Sequence, residues 1–315
     1  MPSRRLRVAV TMTIAMTRPD PAEPALVLAP GSRVGIIAGG GNLPVEVAEG
    51  LVAHGYPPFI LLMEGEVDRD QQLRRYDHVV MALEQIGSLV STLKRHGITH
   101  LVLAGEIKRR PRLRDMRPSL GLLAIVPSVI IALARGDDGL LKVLTRGLEK
   151  RGIKVVGAHE VVPELAAGEG TLTAVEPTKS DWLDIEAGRA AAKAIGALDI
   201  GQAAIAIGGR AIALEGVEGT AGLLERTREL RRHGRIAGKT RGVLVKCVKP
   251  GQELRADLPS IGPQTVEAAH AAGLAGIAID AGRSLILEGP ATLSRANTLG
   301  LFIVGLTATE PANGQ

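Results

Sequence analysis

The chain has 315 residues, 45% of them apolar, which is enough for about two globular domains with well-packed cores. With one Trp, two Tyr and two Phe, the core must be aliphatic, and there is little material for stacking nucleic-acid bases. The net charge of +5 is too diffuse for a DNA-binding surface, and the single cysteine, Cys247, excludes an internal disulfide or a cysteine metal cluster.

Residues 1–31 place Arg4, Arg5 and Arg7 ahead of the apolar stretch Val8–Met16, a superficial likeness to a signal peptide without a clean cleavage site. They are expected to be a disordered extension or the product of a misassigned start. No run in the chain reaches the ~20 apolar residues of a membrane span.

From residue 32 the pattern alternates short apolar runs with helical periodicity. Val34–Ala38 reads as a buried strand, followed by Gly39, Gly40, Gly41 and Asn42 and a helix opening at Pro44, where proline is favoured. Strands are expected at Phe59–Met63, Val79–Leu83 and His100–Ala104, with a helix over Ile86–His96 closed by Gly97. Such β-loop-α alternation predicts a parallel, Rossmann-like sheet with helices on its faces. Pro118–Arg135 is apolar nearly all round and reads as a core helix, or alternatively as the wall of an acyl-chain groove or a membrane contact. Gly136 breaks the pattern before a helix running to Arg151, and Val155-Val156 is a short strand before His159.

Composition shifts around residues 160–185, which divides the chain into an N-terminal domain, 32–165, and a C-terminal mixed α/β domain, 166–308. The second half is expected to hold helices at Ile185–Ile195, Ala221–Arg232 and Pro263–Ala272. Its strands are expected at Ala203–Ile207, Ala211–Leu214, Val243–Val248, Ile277–Ile279 and Leu285–Leu287, closing a small mixed sheet. Cys247 falls in one of these strands and reads as a buried thiol, in keeping with a reducing cytosol.

Three groups of residues could carry chemistry. The glycines at 39–41 with Asn42 lie between a strand and a helix, where backbone amides and the helix terminus can meet an anion. The string is neither Gly-x-Gly-x-x-Gly nor a Walker sequence, so a dinucleotide or triphosphate assignment lacks support. After Gly105, five Lys/Arg fall between Lys108 and Arg114 with one acid, Asp115, only beyond them, a loop suited to forked phosphate contacts or simply to solvent. The third group is acidic: Glu215, Glu218, Glu253, Asp257 and Asp280, on separate loops. Within it Glu253 and Asp257 stand four apart beside Lys249 and Arg255, in a proline-bounded loop able to hold a divalent metal against a phosphate or to orient water. The histidines show no metal spacing.

The strings GIIAGGGNLP (35–44), LAGEIK (103–108), VGAHE (156–160), EGT (218–220), KPGQ (249–252) with Arg255 and Asp257, and AGLAGI (272–277) before Ala281-Gly282 occur in one order. In that order they resemble the LpxI-type UDP-2,3-diacylglucosamine pyrophosphatase family over roughly residues 33–305. The resemblance implies a metal-dependent hydrolase of lipid A biosynthesis, cytoplasmic or peripheral at the inner face of the inner membrane. Its substrate would be an acylated UDP-sugar, split into UMP and 2,3-diacylglucosamine 1-phosphate. It implies Mg²⁺ or another divalent cation, with Asp257 and Glu253 as catalytic positions and Asp257, Glu253 and Glu218 as metal ligands. Gly39, Gly40, Gly41, Asn42, Leu43, Lys108, Lys249 and Arg255 are the implied substrate contacts. Three positions depart from the family pattern: Ala221 replaces its usual Asp, and Glu253 and Asp280 each shift a carboxylate by one methylene. A nicotinamide oxidoreductase and a non-catalytic nucleotide-sugar or lipid-binding protein are the competing readings, and nucleic acid is not an expected partner.

Overall fold

The structure, a computed structural model, describes residues 26–67, 71–107, 109, 137–232, 236 and 240–307. Expectations for residues 1–25, Lys108, the Pro118–Arg135 helix and His233 fall outside these residues.

Five strands, β1 (Val34–Ala38), β2 (Phe59–Met63), β3 (Asp77–Met81), β4 (His100–Ala104) and β5 (Lys154–Val156), form an all-parallel sheet in the order β3-β2-β1-β4-β5. Alternate residues of β2 serve two cores, as the twofold period of a strand requires. Ile60 and Leu62 pack with Val47 and Leu51 of α1 (Leu43–Ala53). Phe59 and Leu61 pack with Leu93 of α2 (Leu89–Arg95) and Leu148 of α3 (Asp137–Glu149). Sheet and helices thus make the expected α/β layers. The third strand begins at Asp77, two residues before the apolar run, because Asp77 and His78 stand in register with Phe59 and Ile60. The expected helix from Ile86 is instead a 3₁₀ turn over Leu83–Ser88, with Gln85 accepting from the Ala82 amide at 3.2 Å, followed by α2. A single-turn helix, α4 (Ala158–Val161), follows β5.

The second half contains β6 (Gly170–Thr171), α5 (Lys179–Ala197), β7 (Ala203–Ala206), β8 (Ala211–Leu214), α6 (Gly219–Leu230), β9 (Val243–Lys246), β10 (Ser260–Ile261), α7 (Pro263–Ala271), β11 (Gly276–Asp280), β12 (Leu285–Ile286), α8 (Gly289–Leu299) and β13 (Phe302–Leu306). Helix α5 starts six residues before the expected Ile185, since Thr178 and Asp181 close a reciprocal cap in which the Thr178 amide donates to Asp181 Oδ2 at 2.8 Å. The mixed sheet has six strands, β6-β13-β11-β9-β7-β8, with β9, β11 and β13 parallel and β7 antiparallel to both neighbours.

The expected closing strand at Leu285 is not part of that sheet. It pairs with β10 in a separate two-stranded ribbon, Ser260 opposite Leu285 and Ile261 opposite Ile286. This ribbon joins the two halves. Leu285 is buried in the N-terminal core with Leu258 and Leu287 packed against it, whereas Ile261 and Ile286 belong to the C-terminal core.

Strand β13 lies close under the connection that leads from the first half into the second. A Cβ at Gly305 would fall 1.8 Å from the Gly168 carbonyl oxygen, a contact that backbone must yield to. Gly305→Ala is therefore expected to cost about 1–3 kcal/mol, the usual penalty for overpacking, read as a melting temperature several degrees lower in a thermal scan.

Candidate active site at the junction of the two sheets

In the first sheet β1 continues to β2 on one side and β4 lies on the other, so the strand order reverses between β1 and β4. Ligands of open parallel sheets bind outside the strand ends at such a reversal. Two sequence motifs meet there. The Gly39 amide donates to the Ala104 carbonyl at 2.8 Å, and Gly40 and Glu106 exchange both backbone hydrogen bonds at 2.7 and 3.0 Å. Glycine is demanded by this crossing: a Cβ on Gly39 would lie 2.6 Å from Glu106 O, and one on Gly105 would lie 2.5 Å from Gly40 O. The amides of Gly39 and Gly40 are thus committed to backbone. Among the described residues no hydrogen bond occupies the amides of Gly41, Asn42 or Leu43, which lead into α1 with Gly41 at φ +90°. The amides of this loop left open to a ligand are therefore those of its second half.

Arg109, the described member of the basic loop, is tied to acids and backbone of the β2–β3 connection. Its amide donates to Glu66 Oε1 at 2.7 Å and its guanidinium reaches the Glu64 carbonyl at 3.2 Å and Glu84 at 3.4 Å. Its partners come from 25 to 45 residues away, which local spacing cannot show.

The loop 249–259 of the second half lies against the first half. Arg255 makes a two-bond fork with Glu253, Nε to Oε1 at 2.8 Å and Nη2 to Oε2 at 3.0 Å. Its Nη1 reaches Glu149 of α3 at 2.5 Å and the Val155 carbonyl of β5 at 3.4 Å. The fork holds the Glu253 carboxyl below the usual carboxylate range, and the two acids push Arg255 up. Asp257 is turned differently. Its Oδ2 accepts from the Nε2 of buried Gln252 at 2.7 Å, while Oδ1 carries no hydrogen bond among the described residues. Gln252 in turn accepts from the Lys249 amide at 2.9 Å, and Lys249 Nζ reaches Asp199 at 2.8 Å. Asp257 is half-buried and is the carboxylate of this loop with an open oxygen.

Glu218 lies on the loop before α6 and pairs with Arg226 at 2.7 Å. With Glu253 in its fork and Glu218 so paired, the three expected metal ligands do not gather. Among the described residues no three His, Cys, Asp or Glu side chains form a group that could hold a metal ion. The described residues therefore do not form a protein-built metal cage. Ala221 lines a shallow groove between α6 and α7 with Glu225, Arg228, Gln264 and Glu267. Asp280, at the end of β11, accepts from the Val248 amide at 2.9 Å and faces Arg189 at 3.4 Å. Cys247 is buried, and burial pushes its thiol up to about 12, which leaves an inert core thiol.

The opposite flank of the junction is closed by Glu288, whose Oε1 accepts from Asn42 Nδ2 at 2.7 Å and whose amide donates to Glu46 Oε2 at 2.8 Å. Since Glu288 follows β12, and β12 pairs with β10 just beyond Asp257, the ribbon links the glycine loop to the acidic loop.

Two buried residues stand out beyond the implied catalytic and binding positions, Lys246, which the sequence reading missed, and Glu215, which it named only in the acidic group. Lys246, at the end of β9, is 6% exposed and donates to the Ser260 carbonyl at 2.9 Å. Glu215, also 6% exposed, accepts from the Gln202 amide at 2.8 Å and from Thr220 Oγ1 at 2.6 Å. The signal for Lys246 was available, since a lysine inside the apolar run Val243–Val248 cannot reach water by standing on a strand face.

Fold and site together define a two-part α/β protein whose strand-end loops, glycine-rich from one sheet and acidic and basic from the other, meet at one junction. The chain belongs to the LpxI family: residues 33–165 match the LpxI N-terminal domain and residues 168–304 the LpxI C-terminal domain. It is 37% identical over 279 residues to a protein of Caulobacter vibrioides named UDP-2,3-diacylglucosamine pyrophosphatase LpxI, covering 88% of this chain and 99% of that one. Among solved structures, CobK precorrin-6A reductase superposes with a TM-score of 0.26 at 12% identity, covering 89% of this chain and 90% of that one, too loosely to bear on fold or chemistry.

The Glu253–Arg255 fork makes a pH-dependent contribution whose sign is set by the lowered carboxyl. A group with a folded value below its unfolded value stabilises the fold above the unfolded value, and the effect fades as pH falls through the folded one. Glu253→Gln is expected to melt below the parent at neutral pH, with the gap closing in acid below the ordinary glutamate range. A gap independent of pH in thermal scans would assign the loss to packing instead.

Proposed function

We propose that the protein hydrolyses the diphosphate of UDP-2,3-diacylglucosamine, yielding UMP and 2,3-diacylglucosamine 1-phosphate in lipid A biosynthesis. The observation that carries this reading is the near full-length likeness to the Caulobacter pyrophosphatase together with both LpxI domains. Water supplies the oxygen that bonds to phosphorus, the phosphorus–bridging oxygen bond breaks, and the water's proton needs an acceptor. Asp257 fits that task, because Gln252 fixes one of its oxygens and leaves the other open. Glu253 supports it indirectly by locking Arg255 across the junction, which fixes the loop that carries Asp257.

On this reading the amides of Gly41, Asn42 and Leu43 receive phosphate oxygens, and Lys249 and Lys108 add charge. Gly39 and Gly40 shape the loop rather than donate to the ligand. A divalent cation belongs to the proposal as an ion carried by the diphosphate rather than by a protein-built cage. It would supply charge neutralisation. Among the described residues no helix is long and apolar enough to cross a membrane. A cytoplasmic protein with peripheral contact at the inner face of the inner membrane fits the acylated substrate.

Purified protein with UDP-2,3-diacylglucosamine and Mg²⁺ is expected to release UMP, and chelation of the cation is expected to stop it. UMP release unaffected by a chelator would remove the cation from the proposal but leave the hydrolase. No UMP under any metal condition would sink the hydrolase itself. Asp257→Ala is expected to bind substrate within about threefold of the parent while turnover falls by about 100-fold or more, the range for loss of a general base. A folded Asp257→Ala variant with parental turnover would take Asp257 out of the mechanism.

A further inference from the structure

Resting on the hydrolase reading above, we infer that Lys246 is a positioning residue of the reaction centre, standing beside the Glu215 carboxylate and holding the far end of the Asp257 loop. Lys246 ends β9, the strand flanked by β7 and β11 in the six-stranded sheet. Its backbone stands in register with Ala203, and the neighbouring Gln202 amide donates to Glu215. The Glu215 carboxylate therefore lies beside the strand end that carries the lysine. Thr220, from the EGT string, completes the carboxylate's hydrogen bonds at 2.6 Å.

An ammonium group has three N–H donors, and among the described residues Nζ has one acceptor, the Ser260 carbonyl at 2.9 Å. Ser260 lies three residues beyond Asp257, after the buried Pro259, so this bond anchors the far end of the loop from beneath. The near end is anchored by Gln252 through the Lys249 amide and Asp257 itself. Asp257 is thus suspended between two fixed points, and Lys246 is one of them. Burial disfavours the charged lysine, while Glu215 and Asp257, the two carboxylates acting on it, favour it. A fully buried lysine that served only stability would be a poor choice, since apolar residues of similar volume usually do as well or better. The cost is sensible if a fixed positive charge is needed next to a carboxylate that works on a diphosphate. Lys246 does not contact the reacting atoms on this account. It acts through the aim and charge of Asp257.

The test uses the full-length protein with UDP-2,3-diacylglucosamine and compares Lys246→Met, Lys246→Arg and the double variant Lys246→Met/Glu215→Gln. The double variant leaves no unpaired buried charge and guards against simple misfolding of the single one. Misplacing a reacting group by about 1 Å costs on the order of 100-fold in rate. The double variant is expected to melt near the parent, to keep KM within about threefold and to lose kcat by about that factor. Lys246→Arg, which keeps the charge, is expected to recover part of the rate relative to Lys246→Met. A double variant with parental kcat overturns the inference. So do equal rates for Arg and Met, and so does a loss of kcat that merely tracks melting temperature across all three variants. If the parent itself releases no UMP, it is the hydrolase reading that fails.

Discussion

The junction depends above all on one guanidinium. Arg255 has a planar fork of five donors, and four of its contacts are spent on Glu253 in its own loop, Glu149 of α3 and the Val155 carbonyl of β5. It thereby fixes the loop 249–259 of the second half to a helix and a strand of the first. The same side chain would be hard to replace by lysine, whose point charge cannot satisfy two carboxylates and a carbonyl in one plane. The β10–β12 ribbon acts in parallel by apolar burial, with Leu285 in one core and Ile286 in the other. Fork and ribbon bracket Asp257 at residues 255 and 260, which leaves that carboxylate little freedom except at its unbonded oxygen.

Most of the fold was legible because buried parallel strands are short apolar runs between turn residues, and such runs need no knowledge of their partners. Phe59–Met63 and His100–Ala104 stand where the pattern puts them. What was lost depends on non-local pairing. Asp77 and His78 are polar and extend β3 only because β2 offers a ladder. Strands β6 and β10 are two residues each and exist only through partners distant in sequence, while β12 was expected as a strand but pairs in the ribbon instead of the larger sheet. The run Phe302–Leu306 carries as clear an apolar signal as any strand, yet it and the preceding α8 went unassigned; no physical obstacle hid them.

The site shows the same division. Residue type and spacing put Glu253 and Asp257 in one loop beside Arg255, but spacing could not tell which carboxylate is consumed by the arginine. At positions two apart in a turn, Glu253 reaches the guanidinium with both oxygens; Asp257 meets a neutral amide instead. The glycine loop was likewise located but not apportioned. Gly39 is a glycine because two strand ends cross with their backbones in contact, a constraint set by β4 some sixty residues further on, and the Gly40 amide is spent on the same crossing. The resemblance also grouped Glu218 with Glu253 and Asp257, whereas the structure leaves Glu218 on the exposed start of α6.

Ala221, the departure from the family pattern that removes a carboxylate, can be weighed against this geometry. It stands in the first turn of α6 and lines the groove toward α7, among Glu225, Arg228 and Glu267. What the same turn gives to the buried centre comes from its neighbour: Thr220 donates to Glu215, and Glu215 faces the strand end that bears Lys246. The EGT string therefore works through its threonine in this chain. A carboxylate at position 221 would add charge to a groove that already holds Glu225 and Glu267, not to the loop between Arg255 and Ser260. Loss of that carboxylate leaves the hydrogen bonds of Glu215, Lys246 and Asp257 intact, so the reaction centre proposed above does not depend on it.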